Sequence, residues 1–93
     1  MKITPAVLQQ EFVGLPAEVV RSSNIHFLGV AGRVIDETRN LLVILHKNRK
    51  KAVVKNTAVF RFRLSDGTIV EVDGETIIGR PEERVKRRIR RLW

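Results

Sequence analysis

The clearest pattern in the chain is the alternation from Val59 to Leu64. Phe60, Phe62 and Leu64 fall on one side and Val59, Arg61 and Arg63 on the other, the period of a half-buried strand. Thr68 to Asp73 alternates again, with Val70 and Val72 inward and Glu71 outward. Between the two, Ser65-Asp66-Gly67-Thr68 supplies an Asp-Gly hairpin turn. Upstream, Val30 to Glu37 reads as a strand carrying Gly32, a bend or bulge position. Thr38-Arg39-Asn40 is a tight connection. Leu41 to Leu45 is an uninterrupted apolar strand, expected to be buried on both faces or nearly so. His46 to Lys50 reads as a polar, basic loop and Ala52 to Lys55 as a short strand. A first strand is expected near Ala17 to Arg21, ended by the turn residues Ser22-Ser23-Asn24. Asp73-Gly74 is a second turn, and Thr76 to Ile78 a last short strand.

Helical spacing is confined to the two ends. Thr4 is a capping residue and Pro5 suits a first helical position. Leu8 and Phe12, with Val7 beside them, make an apolar stripe, and Gly14 is a stop. At the other end Arg80 precedes a proline and stays outside the helix that Pro81 opens. Val85, Ile89, Leu92 and Trp93 form its stripe. Glu82 and Glu83 lie in its first turn and the arginines later, as the helix dipole prefers. The expectation is one domain over 1–93, mainly β: a helix over 1–13, a barrel over 15–79 and a basic helix over 81–93. Five to seven short antiparallel strands in so short a chain favour a small closed barrel of the Sm-like or SH3-like kind, because closure removes exposed edges. The expected inward set is Val34, Leu42, Ile44, Val53, Phe60, Phe62, Val70 and Val72.

Composition agrees with one small core. The chain has 93 residues, 43% hydrophobic and 30% charged, which reads as globular. It has no cysteine, so disulfides, Cys-based zinc sites and thiol catalysis are excluded. No apolar run approaches the ~20 residues of a membrane span, and Met1-Lys2-Ile3-Thr4-Pro5 lacks the apolar core of a signal peptide. A cytoplasmic protein is expected, with an isolated chain that is monomeric.

Charge changes the picture most. The net charge is +8, and it is gathered in two places. Lys47, Arg49, Lys50, Lys51 and Lys55 form one stretch with no acid. Arg80, Arg84, Lys86, Arg87, Arg88, Arg90 and Arg91 form a second, with only Glu82 and Glu83 against them. The rest of the chain holds six basic and eight acidic residues. A solvated face could carry such runs, but mixed signs would serve solubility as well. One-sign clusters flanking a near-neutral body point to phosphate contacts. Arg61 and Arg63, on the polar side of their strand, either extend that basic surface or are ordinary exposed positions.

No catalytic constellation emerges. His26 and His46 lack Cys partners and metal-ligand spacing. Asp36 and Glu37 are adjacent, so a strand points them to opposite faces; they are expected to bond the hairpin at Thr38 and Asn40. Ser22, Ser23 and Ser65 sit in turns with no histidine to activate them. There is no Tyr and one Trp among the aromatics, which disfavours base stacking and favours recognition of folded RNA through shape and phosphates. Ile69, Ile77 and Ile78 are candidates for an apolar protein contact.

Three stretches resemble the archaeal ribonuclease P protein component 1 family: Gly32-Arg33-Val34-Ile35-Asp36-Glu37-Thr38-Arg39-Asn40-Leu41, Val59-Phe60-Arg61-Phe62, and Gly79-Arg80-Pro81-Glu82-Glu83-Arg84. On this resemblance Gly32, Asp36, Glu37, Thr38, Asn40 and Pro81 are structural motif residues. It implies an Sm-like barrel with terminal helices, serving a ribonucleoprotein that trims the 5′ leader from precursor tRNA. It further implies a catalytic centre in the ribonuclease P RNA, with magnesium ions there and no cofactor or metal on this chain. Precursor tRNA would be met indirectly, and a small zinc-ribbon protein would be the protein partner. The chain lacks the long N-terminal extension of eukaryotic relatives, the form expected of archaeal members. It departs from the family in carrying Val54 where a proline is expected. The rival readings are a ribosome-associated or Sm-type RNA-binding protein, an SH3-like adaptor and a small nuclease. The adaptor lacks an aromatic groove and the nuclease a carboxylate cluster.

Overall fold

The computed structural model describes residues 11–79. They form one six-stranded antiparallel sheet in the order β4-β3-β2-β1-β5-β6. The strands are β1 (Pro16–Ser22), β2 (Ala31–Glu37), β3 (Leu41–His46), β4 (Arg49–Val54), β5 (Ala58–Arg63) and β6 (Ile69–Asp73). A 3₁₀ turn at Lys55–Thr57 joins β4 to β5, and a second at Gly74–Ile77 follows β6.

The sheet buries one face. Every residue of the expected inward set is there, from fully buried Val34, Leu42, Ile44, Val53, Phe60, Phe62 and Val72 to Val70 at 3% exposure. Ala17, Val19, Val30, Ala58 and Ile77 complete the cluster, together with Phe12, which precedes β1. The Phe12 ring stacks on Phe62, with centroids 4.3 Å apart and planes 8° from parallel. It thereby stoppers the sheet from outside. Ile77 is fully buried, so it is core and not a surface contact. Ile69 stays exposed at 44%.

Two bulges keep the buried face in register. The pairing shifts by a residue between Val19 and Arg21 in β1, and between Val34 and Asp36 in β2. In β2 the shift places Glu37 opposite core residue Leu42 and Asp36 opposite Val43. Gly32 meets a different demand. A β-carbon there would overlap the Leu45 carbonyl of β3.

Several expectations are corrected. The sheet does not close into a hydrogen-bonded barrel, since β4 and β6 remain its two edges. The 3₁₀ turns that follow those strands instead pack against each other, with Gly74 so close to the Lys55 carbonyl that no side chain fits. Leu41 to Leu45 is fully buried on one face only, at Leu42 and Ile44; on the other, Leu41 and Val43 are half-buried and Leu45 is 39% exposed. Its many branched side chains cover the outer face as well, which reads in sequence like double burial. Gly74–Ile77 is a 3₁₀ turn, not a strand, capped by the Asp73 carboxylate accepting from the Glu75 N–H at 3.1 Å. The helix expected over 1–13 lies mostly outside the described residues, and Glu11 and Phe12 are not helical. The helix expected over 81–93 lies wholly outside them.

Candidate nucleic-acid interface

The stretch read as a basic loop, His46 to Lys50, is the end of β3, a two-residue turn and the start of edge strand β4. Lys47 and Asn48 both take left-handed backbone angles, φ 50° and 67°. That is the geometry of a two-residue hairpin turn whose twist matches its strands. His46 therefore pairs with Arg49, Leu45 with Lys50 and Ile44 with Lys51. The available sequence signal was Asn48, a residue that tolerates this conformation; the surrounding cations hid the alternation. Arg49, Lys50, Lys51 and Ala52 are all exposed, so the outer half of the hairpin stands free on both faces. With Lys47 at its tip it sets four cations within the five residues from Lys47 to Lys51. No acidic residue occurs from Thr38 through Ser65, so along this strand nothing in sequence offsets them.

Lys55 does not belong to that surface. Its side chain is fully buried, with Nζ 2.8 Å from Glu37 Oε2. The ammonium also donates to the carbonyls of Thr38 at 2.8 Å, Arg39 at 3.3 Å and Gly79 at 3.0 Å. A lysine so enclosed reaches no phosphate, and its place among phosphate contacts is withdrawn. Glu37 is the counter-charge to this lysine, and its Oε1 accepts from the Phe12 N–H at 3.5 Å. Asp36 accepts from the Glu37 N–H at 2.8 Å. Thr38 Oγ1 accepts from the Leu41 N–H at 3.0 Å, which fastens the β2–β3 turn, and the Asn40 carbonyl accepts from the Lys55 N–H at 2.8 Å.

Arg61 and Arg63 point outward from β5 as expected and are exposed. Arg61 is not a free cation: it bonds Glu71 of β6 at 2.7 Å. That hydrogen bond raises the Arg61 pKa and holds the Glu71 carboxyl below its ordinary value, while Glu18 reinforces the effect on Arg61. Arg63 lies opposite Ile69. Arg21 and Arg33, which the sequence reading did not single out, are also exposed. Arg80, Pro81, Arg84, Lys86, Arg87, Arg88, Arg90 and Arg91 lie outside the described residues. Among the described residues no cluster of three or more His, Cys, Asp or Glu could hold a metal, and no helix is long and apolar enough to cross a membrane. Phe12, Phe60 and Phe62 are buried and Phe27 is half-buried against the core, which leaves no exposed aromatic platform among the described residues.

An antiparallel sheet with one strongly cationic edge makes this a small β protein with a surface suited to a polyanion. Comparison with known proteins narrows the class. Residues 5–87 match the family described as ribonuclease P/MRP, subunit p29. Ribonuclease P protein component 1 of Methanocaldococcus jannaschii is 46% identical, covering 98% of this chain and 97% of its own length. The protein of the same name from Thermofilum pendens is 45% identical with both chains fully covered. A solved structure described as Mth11, a homologue of human RNase P protein Rpp29, superposes with a TM-score of 0.60 at 45% identity, over 81% of this chain and 97% of that one. The chain belongs to the ribonuclease P/MRP p29 family.

Proposed function

We propose that the chain is an RNA-binding accessory subunit of ribonuclease P, supporting the catalytic RNA as it removes the 5′ leader from precursor tRNA. The observation that carries this reading is the near-complete coverage, in both directions, by relatives named ribonuclease P protein component 1. The cationic β4 edge agrees with it.

The chain's part is electrostatic. Lys47, Arg49, Lys50 and Lys51 lie against phosphates and displace condensed counterions, which favours binding through their release. Closely approaching strands of a folded RNA repel each other, and fixed cations on a rigid strand relieve that repulsion without the entropy loss of ordering free ions. The active centre and its magnesium ions belong to the RNA. Arg63 is a further exposed cation, on β5, whereas Arg61 contributes weakly because Glu71 already pairs it; the sequence from Arg80 onward adds more positive charge. The protein partner is a small zinc-ribbon subunit, and the compartment is the cytoplasm.

Reconstitution tests this reading. Ribonuclease P RNA is combined with the zinc-ribbon protein, with and without this chain, and precursor tRNA cleavage is followed across a magnesium titration. The chain is expected to lower the magnesium concentration needed for half-maximal cleavage. Unchanged magnesium demand together with no binding of the RNA would overturn the assignment.

A further inference from the structure

The main-chain hydrogen bonds of β6 are only half used. At the start of the β5–β6 hairpin the Leu64 N–H donates to the Thr68 carbonyl at 2.7 Å. Bonded and unbonded pairs alternate along an antiparallel ladder. In the register of this hairpin Phe62–Val70 and Phe60–Val72 are therefore bonded pairs, and Arg63–Ile69, Arg61–Glu71 and Val59–Asp73 are not. Ile69, Glu71 and Asp73 accordingly turn their main-chain groups away from β5. The Asp73 carbonyl accepts from the Thr76 hydroxyl at 2.7 Å. Among the described residues, the carbonyls of Ile69 and Glu71 and the N–H groups of all three have no partner. All three residues are exposed, so the free groups line an open side at strand spacing.

The neighbouring side chains say what fits there. From Leu64 through Gly79 the chain holds Asp66, Glu71, Asp73 and Glu75 and no basic residue. Arg61 bonds Glu71 from β5, and Asp73 and Glu75 have no such partner among the described residues. A strand laid along this side puts one side chain opposite each of Ile69, Glu71 and Asp73, on the same outer face. An apolar residue suits the first position and basic residues suit the other two. The acids repel a polyanion and a second β6 edge alike, and they draw a cationic strand. β4 is the other open side. On the RNA-binding reading above, phosphates occupy its cations, so in the ribonucleoprotein neither a protein strand nor a second copy finds β4 free.

We infer that the free edge of β6 is a docking site for an extended, basic segment of another protein, which joins the sheet as a further strand. The main-chain groups of Ile69, Glu71 and Asp73 provide the attachment, and the alternation of acidic and apolar side chains provides the selection. The choice of β6 over β4 rests on the RNA-binding reading above; the unpaired groups of β6 do not. The chain then enters its ribonucleoprotein by two edges, RNA along β4 and protein along β6.

Amide hydrogen exchange in the full chain tests this residue by residue. The probe is a short, end-blocked peptide in which lysine and valine alternate. It is expected to slow exchange at Ile69, Glu71 and Asp73 by about tenfold, and to leave Val70 and Val72, already bonded to β5, unchanged. The same peptide with glutamate for lysine is expected to do nothing. No protection by the lysine peptide, or equal protection by both, would overturn the basic specificity. Glu71→Pro removes a free-side N–H that takes no part in the β5 ladder, a place where an edge strand tolerates proline. It is expected to abolish the protection, with circular dichroism verifying the fold. Should it not fold, Glu71→Gln is expected to weaken the protection severalfold. Exchange is then read in the ribonucleoprotein reconstituted from ribonuclease P RNA and its protein subunits, where the three amides are expected to be protected, and in the complex with RNA alone, where they are expected to stay open. Free exchange in the complete ribonucleoprotein would overturn the inference. So would protection by RNA alone, which would make β6 an RNA contact, and so would an oligomer of the free chain, seen in sedimentation, that Glu71→Pro disperses. Replacing Arg49, Lys50 and Lys51 by alanine keeps the two readings apart: unchanged RNA affinity would sink the β4 reading and leave protection of β6 by the peptide standing.

Discussion

The two edges of the sheet are built alike and charged in opposite sense. Among the described residues β4 and β6 each have one side without a pairing strand, each is followed by a 3₁₀ turn, and those turns pack against each other. Along β4 and its turn stand Lys47, Arg49, Lys50 and Lys51, with no acid. Along β6 and its turns stand Asp66, Glu71, Asp73 and Glu75, and no basic residue occurs from Leu64 through Gly79. Both arrangements protect an open edge from pairing with the same edge of another chain, since like charges there repel a second copy. Only one of them attracts a polyanion. A body of nearly balanced charge thus acquires a direction: the β4 side is drawn to phosphates and the β6 side is turned away from them. Net charge alone, +8 for the chain, describes the strength of that attraction and not its orientation.

The comparison can be broken most directly at β4. Replacing Arg49, Lys50 and Lys51 by alanine is expected to weaken binding to ribonuclease P RNA on the order of a hundredfold at moderate salt, and to flatten the log–log salt slope by about three. Filter binding across a salt series reads both quantities. Neutralising the other edge as Glu71→Gln, Asp73→Asn and Glu75→Gln is expected to strengthen binding by no more than about threefold, since repulsion from exposed charges is largely screened by salt. A loss of affinity there would mean that RNA covers both edges. Arg61→Ala, at a cation already bonded to Glu71, should reduce affinity less than Arg49→Ala does. An equal reduction in the two, measured side by side, would show that the ion pair yields to phosphate. The smallest effect is on stability. Glu71 has its pKa lowered in the folded chain by the Arg61 hydrogen bond. Its pairing therefore stabilises the protein above the ordinary carboxylate range and is lost as pH falls through the lowered value. The melting temperature of Glu71→Gln should lie slightly below that of the parent at neutral pH and coincide with it in strong acid.

What the sequence revealed depended on how local the cause was. The inward set from Val34 to Val72 was legible because alternation along a strand is a property of neighbours. In β4 only the inner end was, read as a strand from Ala52 to Lys55; Arg49, Lys50 and Lys51 hid the rest, because they carry the same charge on both faces of a strand whose outer half covers no core. Leu41 to Leu45 misled for the converse reason, apolar side chains on both faces with only one of them buried. Lys55 was taken for a surface cation because its partner Glu37 lies 18 positions away, and no local pattern marks a lysine that the fold encloses. The buried place of Ile77 likewise follows from the packing of two 3₁₀ turns that are far apart in sequence. The family resemblance, by contrast, rested on short strings around Glu37, Phe60 and Pro81, and so it was visible before any of these contacts.

The strand order carries a consequence for the order of events during synthesis. β1 leaves the ribosome first among the strands, yet it lies between β2 and β5. Its partner residues Phe60 and Phe62 are among the later parts of the domain to be translated. The meander of β2, β3 and β4 can assemble early from neighbouring segments, while the long-range closure of β1 on β5 waits and is intrinsically slow. Until β5 arrives, Val19 and Phe12 lack the rings that cover them, and one side of β1 is an open template. The cationic hairpin is thus built from segments that are all translated before β5, whereas the core it belongs to needs Phe60 and Phe62 of β5.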